Sequence, residues 1–283
     1  MWFFDSIENI FALGSLRRQV KDLCGAPRQH TTNTMTRGEI KTTKSVFGII
    51  EAIKRLDGAS ISEIAEQTGL APSTVHSHVS TLESMEYLRR DGYEYNVGLR
   101  FLDFGIHAKD QLAVTSVTQP ALGQLADDTG ESAWIIVEEH GWGINLEGAT
   151  GDRGVRTAER VGWRTYLHVH AAGKAILAHL PKERVDQIID RRGLPRLTAR
   201  TITDRETLSE ELERTRQRGY AQDRSEGIDG LSAIAAPIIV DDIVHGSVTV
   251  AGPANRMKGS KFTEEIPDAV LGAANTIELK LTY

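Results

Sequence analysis

Residues 60 to 97 constrain this chain more than any other stretch, because they read in order as a capped helix, a tight turn, a second helix and a hairpin. The segments SISEIAEQTGL, APSTVHSHVSTLESM and YLRRDGYEYNV carry that order, which is the order of a winged helix-turn-helix. Upstream, Val46, Phe47, Ile49, Ile50, Ile53 and Leu56 recur at helical spacing and predict a helix over 44–57, with Gly58 as its left-handed stop. Ser60 and Glu63 form an S-x-x-E capping box at the start of the next helix. Ile61, Ile64 and Ala65 face inward there, Gly69 ends the helix, and Leu70 plugs the gap behind it. A third helix begins at Pro72, where a first-turn proline loses no hydrogen bond. Its buried stripe is Val75, Val79, Leu82 and Met85, so Ser73, Thr74, Ser77 and His78 point outward. Asp91-Gly92, a strong two-residue turn signal, then joins the two strands of a wing.

A helix end held in this way is the right shape to enter a DNA major groove. Small hydroxyls at its first turn allow close approach to phosphates, which helix N-terminal amides attract. Thr74 is expected to meet a thymine methyl or a phosphate, and His76 or His78 to donate to a purine edge. Arg89 and Arg90 flank the wing tip, where they would touch the DNA backbone or minor groove. Charge argues for local placement rather than bulk attraction: Lys41 to Arg100 holds seven Lys or Arg against eight Asp or Glu. The general electrostatic term behind non-specific binding is therefore weak. A structural or protein-binding use of the same shape is the rival reading.

At 283 residues the chain has room for two domains, each with a core. A quarter of its residues are charged and the net charge is −6, which suits solubility more than bulk nucleic-acid affinity. No apolar run is long enough to span a membrane, and no membrane partner is expected. The single cysteine, Cys24, excludes an intrachain disulfide and fits a reducing cytoplasm. Residues 1–40 read as a flexible N-terminal extension. Trp2, Phe3, Phe4, Ile7, Ile10, Phe11, Leu13 and Leu16 give it an apolar face, followed by Arg17, Arg18 and Lys21 and by a threonine-rich linker. A mobile arm, a weak membrane-surface helix and sequence upstream of a start at Met35 remain alternatives.

Residues 41–98 then form the DNA-binding module and 99–119 a linker helix. Pro120 opens a third unit, 120–283, with a helix over 120–128 stopped by Gly130. Ala133–Val137 and Trp142–Leu146 form a hairpin about His140-Gly141. Helices follow over 171–180, 182–191 and 204–218, the last with Thr203 and Glu206 as a capping box. Strands over 234–240 and 243–250 turn at Asp241-Asp242, and a final helix runs from Thr263 towards Leu281. Hairpins with helices between them predict a largely antiparallel α+β domain, not a doubly wound nucleotide fold.

Catalytic chemistry finds little support. There is no G-x-S-x-G elbow, no H-E-x-x-H and no cysteine–histidine nucleophile. GDRG, GPANRMKG and AAGKA lack the P-loop spacing. His168 and His170, two apart in a strand, could share a metal with Asp223, Glu226 or Asp229; histidines hydrogen-bonded at a pocket rim are the alternative. No catalytic residue, metal or cofactor is assigned. A small-acid enzyme or a metal-dependent sensor stays as the alternative to a ligand-binding domain, which needs only shape and a few polar groups.

GLAPSTVHSHVSTL, YNVGLRFLDFG, YLHVHAAGKAILAHLP, LTARTITDRETLSEELERTRQRGYAQD and VTVAGPANRMKG, in this order over about residues 42–283, resemble the isocitrate lyase regulator (IclR) family of transcription factors. The end, IPDAVLGAANTIELKLTY, resembles haloarchaeal versions. The resemblance implies a winged helix-turn-helix, a linker helix and a GAF-like effector-binding domain, in dimers or tetramers that repress or activate operons when a small organic acid binds. It also implies DNA contacts at Ser73, Thr74, Val75 and His76, with Ser77 and His78 standing where relatives often carry an arginine and an aliphatic residue. The effector cleft would be lined by His170, Ala171, Ala172, Asp223, Ala233, Thr249 and Ala251. Relatives often have a cysteine at the Ala233 place and serines at Thr249 and Ala251, so donors to a carboxylate or sugar acid are fewer here.

Overall fold

A computed structural model describes residues 40–155 and 159–283. The expectations for residues 1–39, Cys24 and the apolar face from Trp2 to Leu16 among them, lie outside the described residues. The described chain divides into two units, residues 40–111 and 112–283.

In the first unit α1 (Lys41–Leu56), α2 (Ile61–Thr68) and α3 (Pro72–Ser84) precede a hairpin of β1 (Leu88–Asp91) and β2 (Glu94–Val97), and α4 (Arg100–Asp110) follows. Ile49, Ile53, Ile64, Val75, Val79, Leu82, Leu88 and Tyr95 close one core. The backbone of Ala59, between α1 and α2, pairs both ways with Tyr95 and ties the loop to the wing. The Ser60–Glu63 capping box forms in both directions, and Gly69 ends α2 at φ 69°.

Several local expectations shift. The left-handed residue that stops α1 is Asp57 (φ 60°), one position before Gly58. Phe47 and Leu56 are exposed, because the buried stripe of α1 runs through Ile49, Ala52 and Ile53 and turns position 47 to the far side. Met85 is exposed because α3 ends at Ser84 and leaves it in the cap. The wing turn is Gly92-Tyr93, with Asp91 paired to Glu94. Gly92 has φ +60° and Tyr93 does not share the positive φ, so glycine occupies the first central position, as a II′ turn demands.

The second unit is a six-stranded antiparallel sheet with helices on both faces. Its order is β5 (Arg164–Tyr166), β4 (Trp142–Thr150), β3 (Ser132–Glu139), β8 (Ile243–Pro253), β7 (Leu231–Val240), β6 (Ala221–Arg224). One face packs on α5 (Thr115–Thr129) and α9 (Ile266–Thr282) through Leu122, Leu125, Ile135, Val248, Val270 and Ile277. The other packs on α6 (Ala171–His179), α7 (Lys182–Arg192) and α8 (Arg205–Arg218) through Ile176, Leu177, Ile188, Leu208 and Ala235. The α+β class and antiparallel sheet are as expected from the hairpin signals.

Pro120 does not open α5. The helix starts at Thr115 and carries the proline inside it, because burial of Thr118, Ala121, Leu122 and Leu125 overrides local propensity. The stretch read as one linker helix is likewise broken: α4 ends at Asp110 and α5 starts at Thr115. The cap of α8 is Asp204, whose carboxylate accepts from the Thr207 amide at 2.8 Å, not Thr203 with Glu206. The short strands β5 and β6 escaped sequence reading because three or four residues are too few to show alternation.

Candidate nucleic-acid interface and ligand cavity

The first turn of α3 is presented to solvent. Ser73, Thr74, His76 and Ser77 are exposed and His78 is half-buried. Ala71, at the N-cap, supplies no side-chain hydrogen bond, and Pro72 has no amide. Thr74 and Val75 return their amides to the Ala71 carbonyl, while the Ser77 hydroxyl donates to the Ser73 carbonyl at 3.0 Å. Val75 leaves the contact set: it is 0% exposed and sits in the core. It belongs to the apolar stripe, and a side chain on that stripe cannot face a duplex. On the wing, Arg90 donates to the Gly92 carbonyl at 2.9 Å and lies over the Tyr95 ring. Arg89, on the opposite face, has only a 3.9 Å contact with exposed Asp91.

In the second unit all seven residues expected around a cleft line one cavity of about 730 Å³, its open mouth included. His170, Ala171 and Ala172 come from the start of α6, and Asp223 from β6. Ala233 lies on β7, and Thr249 and Ala251 on β8. Register explains the convergence: Asp223 pairs with Ala233 and Ala233 with Ala251, while Thr249 pairs with Trp134 on β3. Adjacent rungs on one face therefore build a floor of small side chains. Trp134, Asn145, Glu159, Trp163 and Ser232 also line the space and were missed. Trp134 stands in the apolar run AWIIV, where nothing distinguishes a cavity-facing indole from a core one.

The Trp134 indole overlies Gly148 on β4, where an added Cβ would meet its ring at 2.5 Å. The contact is through the six-membered ring (Cε3, Cζ3), so the N–H edge turns away. Trp134 Nε1 is buried without a hydrogen-bond partner. His170 caps α6: its Nδ1 accepts from the Gly173 amide at 3.1 Å, and its Nε2 is buried without a partner. Burial, reinforced by His168 and Lys174, pushes His170 down to about 3. The ring is thus neutral at ordinary pH, and with the Nδ1 lone pair in use its proton resides on Nε2.

Asp223 is pushed up to about 7 by burial and by the charges of Glu226 and Glu159, against Lys174 and the Glu226 amide. That amide donates to Asp223 Oδ1 at 2.7 Å. The Glu226 carboxylate takes both hydrogen bonds of Lys174 Nζ, at 2.6 and 2.7 Å. Lys174 is 1% exposed and also lies 4.0 Å from Glu211 on α8. Burial raises Glu211, but Lys174, Arg218 and Arg214 together hold it below its usual range. The lysine of AAGKA therefore compensates carboxylates inside the wall and is not a phosphate ligand.

His168 and His170 do not converge. His168 lies in a 3-10 turn with Nε2 3.1 Å from the Pro195 carbonyl, and burial takes it down to about 4. Among the described residues no three His, Cys, Asp or Glu side chains are grouped to hold a metal ion. Glu131, 0% exposed, is clamped by Arg256 and Lys261, so GPANRMKG anchors the start of β3. No described helix is long and apolar enough to cross a membrane.

Two family descriptions match this chain: "IclR helix-turn-helix domain" over residues 46–92 and "Bacterial transcriptional regulator IclR C-terminal" over residues 106–279. A Halobacterium salinarum protein named "Probable HTH-type transcriptional regulator ArcR" is 31% identical over 253 residues, covering 86% of this chain and 96% of its own length. The crystal structure of the Thermotoga maritima IclR protein has a TM-score of 0.72 at 27% identity, covering 87% of this chain and 100% of that one. An IclR homologue from Microbacterium hydrocarbonoxydans, complexed with 4-hydroxybenzoate, shares the fold with a TM-score of 0.74 at 23% identity, covering 85% and 99%.

Proposed function

The chain belongs to the IclR family of transcriptional regulators, DNA-binding proteins with a C-terminal effector domain and not enzymes, and from that premise we propose that a small organic acid in the cavity modulates its hold on a specific operator. The observation that carries the reading is the convergence of His170, Ala171, Ala172, Asp223, Ala233, Thr249 and Ala251 on one enclosed space. The 4-hydroxybenzoate bound by the Microbacterium relative supports a ligand of that size and polarity. Sequence readout is assigned to Ser73, Thr74, His76, Ser77 and His78, and backbone contact to Arg89 and Arg90.

The uncapped start of α3 supports phosphate contact there, since an oxygen of the duplex would satisfy the open end. A homodimer would place two such helices about 34–36 Å apart on a near-palindromic site. Its support is α4, which buries no residue and exposes Leu102, Phe104 and Ile106. The test is a footprint on DNA upstream of the protein's own gene. Protection by the wild type and none by Ser73→Ala/Thr74→Ala bears the reading out; equal protection by both sinks the α3 assignment. A thermal-shift screen of carboxylates and sugar acids then reads the cavity, because a ligand of the folded state raises its stability.

A further inference from the structure

Resting on the reading of the cavity as the effector site, its polar groups narrow the ligand further, because they are segregated by sheet order. Trp134 stands on β3 with its ring over β4. The His170 ring lies over Gly143 of β4, its Nε2 3.1 Å from where a Cβ there would be. Both unpartnered N–H groups are therefore on the β3/β4 side. Asp223 is on β6, at the other end of the run β3-β8-β7-β6. Three strand spacings, roughly 14–15 Å between backbones, separate the two sides. The floor between them, Thr249, Ala251 and Ala233, rises little above the sheet, and the Thr249 hydroxyl already donates to the Ile234 carbonyl.

No lysine or arginine is among the described lining residues, whereas two carboxyl groups, Glu159 and Asp223, are. The nearest cation behind the wall, Lys174, is engaged by Glu226 and Glu211. A second anionic group on a ligand would meet a carboxyl and no positive charge. Buried donors without acceptors are costly, so the β3/β4 side calls for ligand oxygens.

We propose that the cavity selects a polar-asymmetric ligand of at most one negative charge: oxygen acceptors seated on Trp134 Nε1–H and His170 Nε2–H, and a hydroxyl or amino group turned to Asp223. Trp134 and His170 are then specificity-determining residues that recognise the acceptor end without a cation. Ligands with an acid at both ends are rejected on the β6 side.

The experiment compares two probes of similar shape, 4-hydroxybenzoate and benzene-1,4-dicarboxylate, by calorimetry on the full-length protein at pH 8. Indole N–H signals are followed by NMR, with that of Trp134 identified by its loss in Trp134→Phe. The expected result is that 4-hydroxybenzoate binds at least roughly ten-fold tighter than the dicarboxylate and moves the Trp134 signal, and that Trp134→Phe weakens it about ten-fold. The comparison of probes uses the wild type alone, so it stands even where the variant does not fold. Equal or tighter binding of the dicarboxylate, binding that leaves the Trp134 signal in place, or no binding of either probe overturns the proposal. Operator footprints on the same preparations separate the two ideas: protection with any of those outcomes removes only the ligand assignment, and its absence removes the regulator reading.

Discussion

Asp223 holds its proton to about pH 7 in the folded chain, whereas in the unfolded chain the same carboxyl loses it near pH 4. Between those values the unfolded state binds fewer protons, so this residue's contribution to stability falls as pH rises through the window and is constant on either side. Asp223→Asn keeps an acceptor for the Glu226 amide and removes the titration. Relative to wild type, the variant should gain stability from pH 4 to 7 and level off above, by at least roughly 1 kcal/mol in all, because a tenfold difference in proton affinity between the two states is worth about 1.4 kcal/mol. Urea unfolding at a series of pH values checks this; a difference flat in pH counts against it. Lys174 supplies the complementary case. Lys174→Met strands two carboxylates in the wall and should cost about 3–5 kcal/mol, while Lys174→Met with Glu226→Gln should cost less than the single change. A double variant as unstable as the single one would mean that packing, not charge, is what Lys174 provides.

Among the elements, the wing and α4 carry distinct expectations. Arg89 is the wing cation without a strong internal partner, so Arg89→Ala should weaken binding to all DNA sequences alike and reduce the salt slope by about 0.9. Fluorescence titration of operator and non-specific duplexes over a salt series decides it, and loss on the operator alone would make Arg89 a base reader. On α4, Leu102 and Ile106 lie four residues apart on one exposed stripe. Leu102→Glu/Ile106→Glu should shift sedimentation towards monomer and weaken binding to a palindromic site more than to a half-site. The elements of the first unit were legible from sequence because caps, stops and spacing agreed at Ser60, Glu63, Gly69 and Pro72. Tertiary effects hid the rest: Pro120 continues a helix because its neighbours are buried, and Phe47 is apolar yet faces out. The cavity's alanines were found by resemblance to the family, since an alanine announces nothing by itself. Trp134 and Lys174 were not found as cavity and wall residues, because orientation and burial depend on register across strands distant in sequence.

For the whole molecule, linkage ties the two units whatever the route between them. A ligand that changes operator affinity by some factor must have its own affinity changed by operator DNA by the same factor, typically 5–150-fold in coupled systems. Calorimetric titration of 4-hydroxybenzoate into the free protein and into its operator complex should give a ratio of dissociation constants equal to the ligand's effect on DNA binding. Unequal factors would place the ligand somewhere other than on the folded regulator.

The bare start of α3 has a consequence of its own. With alanine at position 71, the opening turn of that helix is fastened only by its own backbone while the protein is free. Docking on a duplex supplies the missing oxygen, so the segment finishes folding where it is read. Regulators of this build carry one incomplete piece of secondary structure through the cell, and the genome completes it.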